Sequence, residues 1–394
     1  MRQSVIRQSV LTMLLCALLA PPAAADGREL RLGFISSFSG PVAVLGSAVD
    51  QGFEVALDQL GGRIGGIDTA IVKQDDEGKP DTGIAVARKM IVQDKVDVIY
   101  GVATTVVVVP VAALAARSKV VMIGPVSGPS MLAGKGCSPY FFSSSWDNNL
   151  PSEAMGEYLQ TKGIANAYLF SANFQGGKDA LAGFKNYFKR PILAETYTPF
   201  TAQDYSAEIT QARAAHPAAI FAFYPGNLAT NFVNQLAQSG LMGDVPFYSA
   251  STIDPTNLPA IGDAAIGTFQ TAAYNPDLPY PANRDFVARF VARHHELPSS
   301  FAAQAYDGLM LLDAAIRSGA DPHDRPALIH AMQTVHFASV RGPGFRINRN
   351  NFPVQNFYLL KVVKSDGTLI QQTQTTIFTD HADTHVDDCV MPAP

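Results

Sequence analysis

Six short stretches combine glycine, hydroxyl residues and turn residues in a way that suits holding a solute better than breaking a bond. They are residues 36–41, 101–105, 124–128, 171–177, 223–227 and 249–252. Where such a loop runs from a strand into a helix, its N–H groups and hydroxyls hold a carboxylate without Lys or Arg. Ser39, Gly40, Thr104, Thr105 and Ser127 are candidate donors of this kind, with Val126 and Ser251 as further wall residues. Taken singly, each is equally a helix cap or a turn residue. Their recurrence at equivalent places in the chain favours a shared site. A second group is aromatic. Trp146, Phe174, Phe223, Tyr224 and Tyr274 stand at strand ends or junctions, where rings would cover an apolar solute and exclude water. Phe223 continues an apolar strand and is assigned to the core.

The same residues do not assemble a reaction centre. A nucleophile elbow reads Gly-x-Ser-x-Gly, and Gly124-Pro-Val-Ser127-Gly128 misses that spacing. No Gly-x-Gly-x-x-Gly follows the first strand, and there is no phosphate loop. His294-His295-Glu296 ends a helical pattern and is read as solvated surface. The expectation is a binding protein, with no enzyme activity, no cofactor and no metal.

The elements that must position these loops alternate. Strands are expected over 30–35, 71–72, 96–100 and 120–123, with helices over 49–60, 81–93 and 109–116 between them. The rhythm restarts after Trp146, with helices over 152–161, 177–188, 205–215 and 228–238 and strands over 167–170, 193–197, 219–223 and 246–249. This predicts an α/β fold of two similar doubly wound parallel-sheet lobes. Two further helices after Pro281 and a hairpin of 354–363 with 368–378 around Ser365-Asp-Gly367 complete the chain. A length of 394 residues fits two domains, and 16% charged residues with 47% hydrophobic ones excludes a disordered scaffold. A net charge of −5 without a basic face argues against a nucleic-acid partner.

Residues 1–25 read as a cleaved secretory signal: Arg2 and Arg7, an apolar run over 10–20, then Ala23-Ala24-Ala25. The run is too short to span a bilayer, as is 106–116 later in the chain. Leu15 before Cys16 argues against lipid attachment. Removing this segment, which holds two arginines and no acid, takes the charge to −7 and leaves Cys137 and Cys389. An oxidising compartment favours pairing them. Free buried thiols remain open, as does a metal site using His381, His385, Asp387 and Cys389.

Leu32-Gly-Phe-Ile-Ser-Ser-Phe-Ser-Gly-Pro41, Asp75-Asp-Glu77, Gly101-Val-Ala-Thr-Thr105, Ile123-Gly-Pro-Val-Ser127, Phe174-Gln-Gly-Gly-Lys-Asp179 and Phe221-Ala-Phe-Tyr-Pro-Gly226 follow one another in order. Together they resemble the type I periplasmic solute-binding proteins of ABC importers, in particular the leucine/isoleucine/valine-binding branch. The resemblance covers 27–378. It implies a monomeric bilobed protein in the periplasm, with three hinge crossings near 144–147, 273–277 and 338–345. Lobe 1 would hold 26–145 plus 276–340, and lobe 2 would hold 146–275 plus 341–394. It further implies a small-molecule ligand, closure around it, a membrane permease as partner, and Phe174 and Tyr224 facing the ligand.

Amino-acid binders of this family pair the ligand ammonium with an acid in the loop after the fourth strand of lobe 2. Here that loop reads Tyr248-Ser-Ala-Ser-Thr252, with no carboxylate before Asp254. Either Asp254 reaches in or the ligand carries no ammonium. A small aromatic or apolar carboxylate is the favoured solute, with a branched-chain amino acid or a ligand-presenting sensor role as alternatives. Ser144-Ser-Trp-Asp-Asn148, with Cys137 and Cys389, also resembles a branch linked to aromatic compounds.

Overall fold

A computed structural model describes residues 29–394, so the expected signal over 1–25 lies outside the described residues. The first sheet holds β1 (Leu30–Ser36), β2 (Arg63–Ile64), β3 (Ile67–Asp75), β4 (Val98–Gly101), β5 (Val121–Gly124) and β6 (Phe141–Ser143), in the order β2-β3-β1-β4-β5-β6. All its pairings are parallel except β2 with β3. Leu30, Leu32, Phe34 and Ile35 of β1 are fully buried, as a central strand covered on both faces requires.

The helices α1 (Ala43–Gln59), α2 (Pro80–Lys89), α3 (Thr105–Arg117) and α4 (Ser130–Ala133) connect these strands. The helix expected over 109–116 begins four residues earlier, although Val106 to Val109 are β-branched. Burial of Val107, Val108 and Val111 against the sheet outweighs their weak helix propensity. The earlier start puts Thr105 on the helix's first turn.

The second sheet takes β7 (Ala167–Ala172), β8 (Ile192–Thr198), β9 (Ile220–Phe223), β10 (Phe247–Ala250), β11 (Phe269–Ala272), β12 (Arg346–Ile347), β13 (Pro353–Ser365) and β14 (Thr368–His381). Its order is β12-β13-β11-β10-β9-β7-β8, with β14 on β13. It is parallel from β8 to β11 and antiparallel beyond, so the hairpin turns the edge of this sheet into a mixed one. Its helices are α5 (Leu150–Thr161), α6 (Gln175–Tyr187), α7 (Ser206–Ala214), α8 (Asn227–Gln238), α9 (Leu241–Asp244) and α10 (Leu258–Ile261). The short strands β2, β6, β11 and β12 have no counterpart in the sequence reading.

The chain returns to the first lobe for α11 (Pro281–His294), α12 (Ser300–Arg317) and α13 (Arg325–Thr334). There α12 lies against α1 so closely that a Cβ on Gly52 would sit 2.0 Å from the Ala302 carbonyl oxygen. The chain therefore passes between the two lobes three times, within 144–149, 273–280 and 335–345.

Two of these passages meet at a buried ion pair. Arg341 and Asp307 are both shut away from solvent and joined by a 2.8 Å bond from Nε. Arg341 Nη1 also donates to the Ser145 carbonyl (3.1 Å) and to Gln355 Oε1 (2.8 Å), and Gln355 Nε2 donates to the same carbonyl at 2.7 Å. Asp307 further accepts from Ser339 Oγ at 2.6 Å and Val340 N at 3.1 Å. The guanidinium lies over the Phe345 ring, 4.1 Å from its centre. Burial lowers the Arg341 pKa, and the Asp307 charge opposes that shift.

Cys137 and Cys389 form a disulfide with Cα atoms 5.7 Å apart, which links the first lobe to the segment after β14. His381 pairs with Glu153 at 3.0 Å and stacks on Phe378.

Removing one partner of the buried pair strands a charge in the interior. Asp307→Ala is expected to lose about 3–5 kcal/mol of unfolding free energy in urea titrations. A loss below about 1 kcal/mol would mean that water reaches Arg341.

Candidate functional site

In each sheet the chain reverses its winding direction once, between β1 and β4 in the first and between β7 and β9 in the second. Loops leaving the carboxyl ends of strands at such a reversal form a crevice. A cavity of about 40 Å³ lies there, walled by both lobes. The first lobe supplies Leu45, Ala103, Thr104, Thr105, Val126, Ser127 and Phe301. The first passage supplies Trp146 and Asn148, and the second lobe supplies Phe174, Gly176, Phe200, Phe223, Pro225 and Ser251. None of these described residues is charged.

The polar groups are largely engaged with one another. The hydroxyls of Thr105 and Ser127 lie 2.5 Å apart. Asn148 Nδ2 donates to Thr105 Oγ1 at 3.3 Å and to Asp179 Oδ2 at 3.2 Å, while its Oδ1 accepts from Gly128 N at 3.1 Å. Gly128 must lack a side chain, because a Cβ there would lie 1.7 Å from the Trp146 carbonyl oxygen. The hydroxyls of Thr104 and Ser251 are buried and have no hydrogen-bond partner among the described residues.

The apolar wall is a run of rings. Phe174 packs edge-on against Phe200 at 5.0 Å and is stacked with Phe223 at 6.2 Å, and Trp146 meets Phe301 at 6.2 Å.

Seven of the sequence-derived residues thus line one cavity: Thr104, Thr105, Val126, Ser127, Trp146, Phe174 and Ser251. Four do not. Ser39 Oγ donates to Asp75 Oδ2 at 2.7 Å on the exposed edge of the first lobe, where Asp75 also accepts from Phe38 N. Gly40 takes φ +82° in the turn before α1. Tyr224 is buried in the second lobe, 4.5 Å from the Phe232 ring and 3.1 Å from Thr198 Oγ1. Successive side chains at the end of β9 point opposite ways, so Phe223 faces the cavity and Tyr224 the core, the reverse of the expectation. Tyr274 packs on Phe286 within the core of the first lobe.

The sequence reading had no role for Asp179, which joins the lobes. It accepts from Ser130 Oγ (2.8 Å) and Ser130 N (3.3 Å) of the first lobe, and from Gln175 Nε2 on its own helix at 2.8 Å. Asp179 lies one turn into α6, beyond the first turn where an acid would have been an N-terminal signal, so its type and place carried no signal. Phe301, on α12, is too remote in sequence to have carried one. At the mouth of the cleft, a Cβ on Gly226 would lie 3.3 Å from the Pro41 carbonyl oxygen, so the lobes touch there.

Asp254 is buried and outside the cavity lining. Its Oδ1 accepts from Thr256 N (2.8 Å) and Thr256 Oγ1 (2.6 Å). Loss of hydration pushes its pKa up to about 6, against the opposing hydrogen bonds from Thr256 and Asn257.

Two parallel-sheet lobes with a slot between their strand ends define a solute-binding fold. The profile of the periplasmic binding protein family matches residues 29–368, and the chain belongs to that family. It is similar to the solute-binding protein of an ABC transporter from R. palustris in complex with benzoate. The TM-score is 0.86 at 28% identity, covering 92% of this chain and 100% of that one. A second such protein, from Rhodopseudomonas palustris BisB5 in complex with 3,4-dihydroxybenzoic acid, has a TM-score of 0.85 at 28% identity, covering 90% and 99%. The Leu/Ile/Val-binding protein homolog 6 of Brucella suis is 25% identical over 369 residues, 91% of this chain and 94% of that relative.

The raised pKa of Asp254 has a sign that can be tested. A carboxyl whose folded pKa exceeds its unfolded one contributes stability below about pH 4 that is lost as pH rises through about 6. Asp254→Asn removes that loss. Its stability relative to the parent should rise by about 2 kcal/mol between pH 4 and pH 7 in urea titrations. A constant difference would show that Asp254 ionises in the folded protein as it does in the unfolded chain.

Proposed function

We propose that this chain is the solute-capturing component of an ABC importer, acting in the periplasm after loss of residues 1–25, and that its solute is a small aromatic or apolar carboxylate. The observation that carries this reading is the cavity at the strand ends, lined by rings and neutral donors and by no charged side chain among the described residues. The benzoate and dihydroxybenzoate found in two relatives of about the same length support it.

The carboxylate meets the start of α3, where Thr104 precedes the helix and the first N–H groups have no partner within it. Phe174, Phe223 and Trp146 cover the ring. A cavity of about 40 Å³ holds about three waters, so a ring enters only when the lobes part. The lobes are 26–145 plus 276–340 and 146–275 plus 341–394, turning about the three passages. The protein works as a monomer, catalyses no reaction, binds no nucleic acid and presents its closed form to a membrane permease.

The names of the curated relatives favour a second reading, in which the solute is a branched-chain amino acid. Its ammonium would need a carboxylate, because an unpaired buried ammonium costs several kcal/mol. Asp254 is held by Thr256 and does not reach the cavity.

Trp146 is the single tryptophan of the sequence, so intrinsic fluorescence reports directly on the cavity. Benzoate is expected to change its emission saturably and leucine to leave it flat. Tight binding of leucine alone would reverse the assignment. Phe174→Ala should weaken benzoate binding by about 10- to 100-fold, the value of burying one phenyl ring. Unaltered affinity would remove Phe174 from the site.

A further inference from the structure

Resting on the aromatic-acid reading above, we infer that Ser251 selects among such acids by hydrogen-bonding a hydroxyl carried on the ring away from the carboxylate. Among the polar side chains lining the cavity, Thr105, Ser127 and Asn148 are satisfied by one another and by Asp179. Two hydroxyls are not. Thr104 Oγ1 and Ser251 Oγ have no partner among the described residues, and their residues are only 5% and 6% exposed. They stand on opposite lobes, so each wall of the cavity carries one unpartnered hydroxyl beside its rings.

The two walls differ in the charge they accept. Thr104 stands at the start of α3, a 13-residue helix with no acid in its first turn. That wall suits an anion. On the other lobe a carboxylate is already present: Asp179, one turn into α6, is bound by the side chains of Gln175, Ser130 and Asn148, and Asn148 itself lines the cavity. The buried Asp254 lies three residues beyond Ser251. A second anion is disfavoured there, and a neutral hydroxyl is what Ser251 can pair with.

The loop around Ser251 is built to hold it in place. Gln270 Oε1 accepts from Thr252 N (3.2 Å) and Ile253 N (2.9 Å), and Thr252 Oγ1 bonds the carbonyls of Ala222 and Ala250. Ser251 itself sits at φ +46°, a left-handed conformation that side chains other than glycine adopt at a cost. Strain of this kind collects at ligand-binding positions.

The test is calorimetric titration of the full-length secreted protein and its Ser251→Ala, Ser251→Gly and Thr104→Val variants with benzoate, 4-hydroxybenzoate and leucine. Glycine relaxes the backbone while removing the hydroxyl, so a folding defect in the alanine variant does not obscure the result. The parent should prefer 4-hydroxybenzoate over benzoate by about tenfold, the value of one net hydrogen bond. Both Ser251 variants should bring that ratio toward one, whereas Thr104→Val should weaken the two acids by similar factors. A ratio that survives in both Ser251 variants, or a parent that prefers benzoate, overturns the role of Ser251 and leaves the aromatic-acid reading intact. Binding of leucine with neither acid bound overturns both.

Discussion

The buried contact between Arg341 and Asp307 is the constraint on which the two-lobed arrangement depends. Taking two charges out of water costs several kcal/mol for each ion, which only dense hydrogen bonding offsets. The chain approaches that condition by bringing four separate segments to one point, with Arg341 Nη2 left without a partner among the described residues. Asp307 comes from α12, Ser339 and Arg341 from the third passage, Ser145 from the first, and Gln355 from β13. Sliding any of these segments along the others breaks hydrogen bonds to the buried charges. Trp146 follows Ser145 directly, so the hub also sets the position of the cavity's indole. The disulfide adds a covalent link from the first lobe to the end of the chain, between cysteines 252 residues apart. Asn350 Nδ2, donating to the Ala133 carbonyl and to Asp383 Oδ2, holds the same segment down.

Both walls of the slot carry backbone strain. Val102 adopts φ +68° after β4, and Ser251 adopts φ +46° after β10. A β-branched residue in the left-handed region is an outlier that persists only when its surroundings leave it no alternative. Here Val102 N donates to the Ile35 carbonyl at 2.5 Å, and the Val102 side chain is buried in the core beside β4. That bend turns the chain from the strand toward Thr104 and the start of α3. The strain therefore lies where the chain must leave its sheet abruptly to put a hydroxyl over the cavity.

Much of this was legible in the sequence because central strands of a covered parallel sheet are continuous apolar runs, and the helices between them keep an apolar period. The pairing of Cys137 with Cys389 was favoured by compartment and number, against free thiols or a metal site, and the structure forms it. What could not be read were matters of parity and of distance. Whether Phe223 or Tyr224 faces the cavity depends on where β9 ends, and a one-residue uncertainty exchanges the two faces. Ser39 had the right type and place, but the neighbouring Asp75 takes its hydroxyl. Tyr274 lies within a passage, yet the aromatic side chains of α11 draw it into the first core. Strands of two or three residues such as β2 and β6 are too short for any period to show, and β11 (Phe269–Ala272) has polar residues at its centre and no apolar run.

A cavity without a charged wall has consequences for capture and release. A carboxylate held by helix N–H groups and hydroxyls gains less than one held by a buried guanidinium, and it leaves no stranded charge behind when it departs. The closed state is likewise held lightly. Of the four hydrogen bonds to Asp179, the two from Ser130 cross between the lobes, whereas those from Gln175 and Asn148 come from its own helix and from the first passage. Breaking the two Ser130 bonds gives up about 1–3 kcal/mol of net hydrogen bonding, and opening exposes the rings of Phe174 and Phe223. A solute that covers those rings and meets Thr104 and Ser251 supplies differential affinity of the same size, enough to move the balance between open and closed by one or two powers of ten. Tighter latching would keep the lobes shut without cargo. A cationic wall would hold the cargo against the permease that must take it.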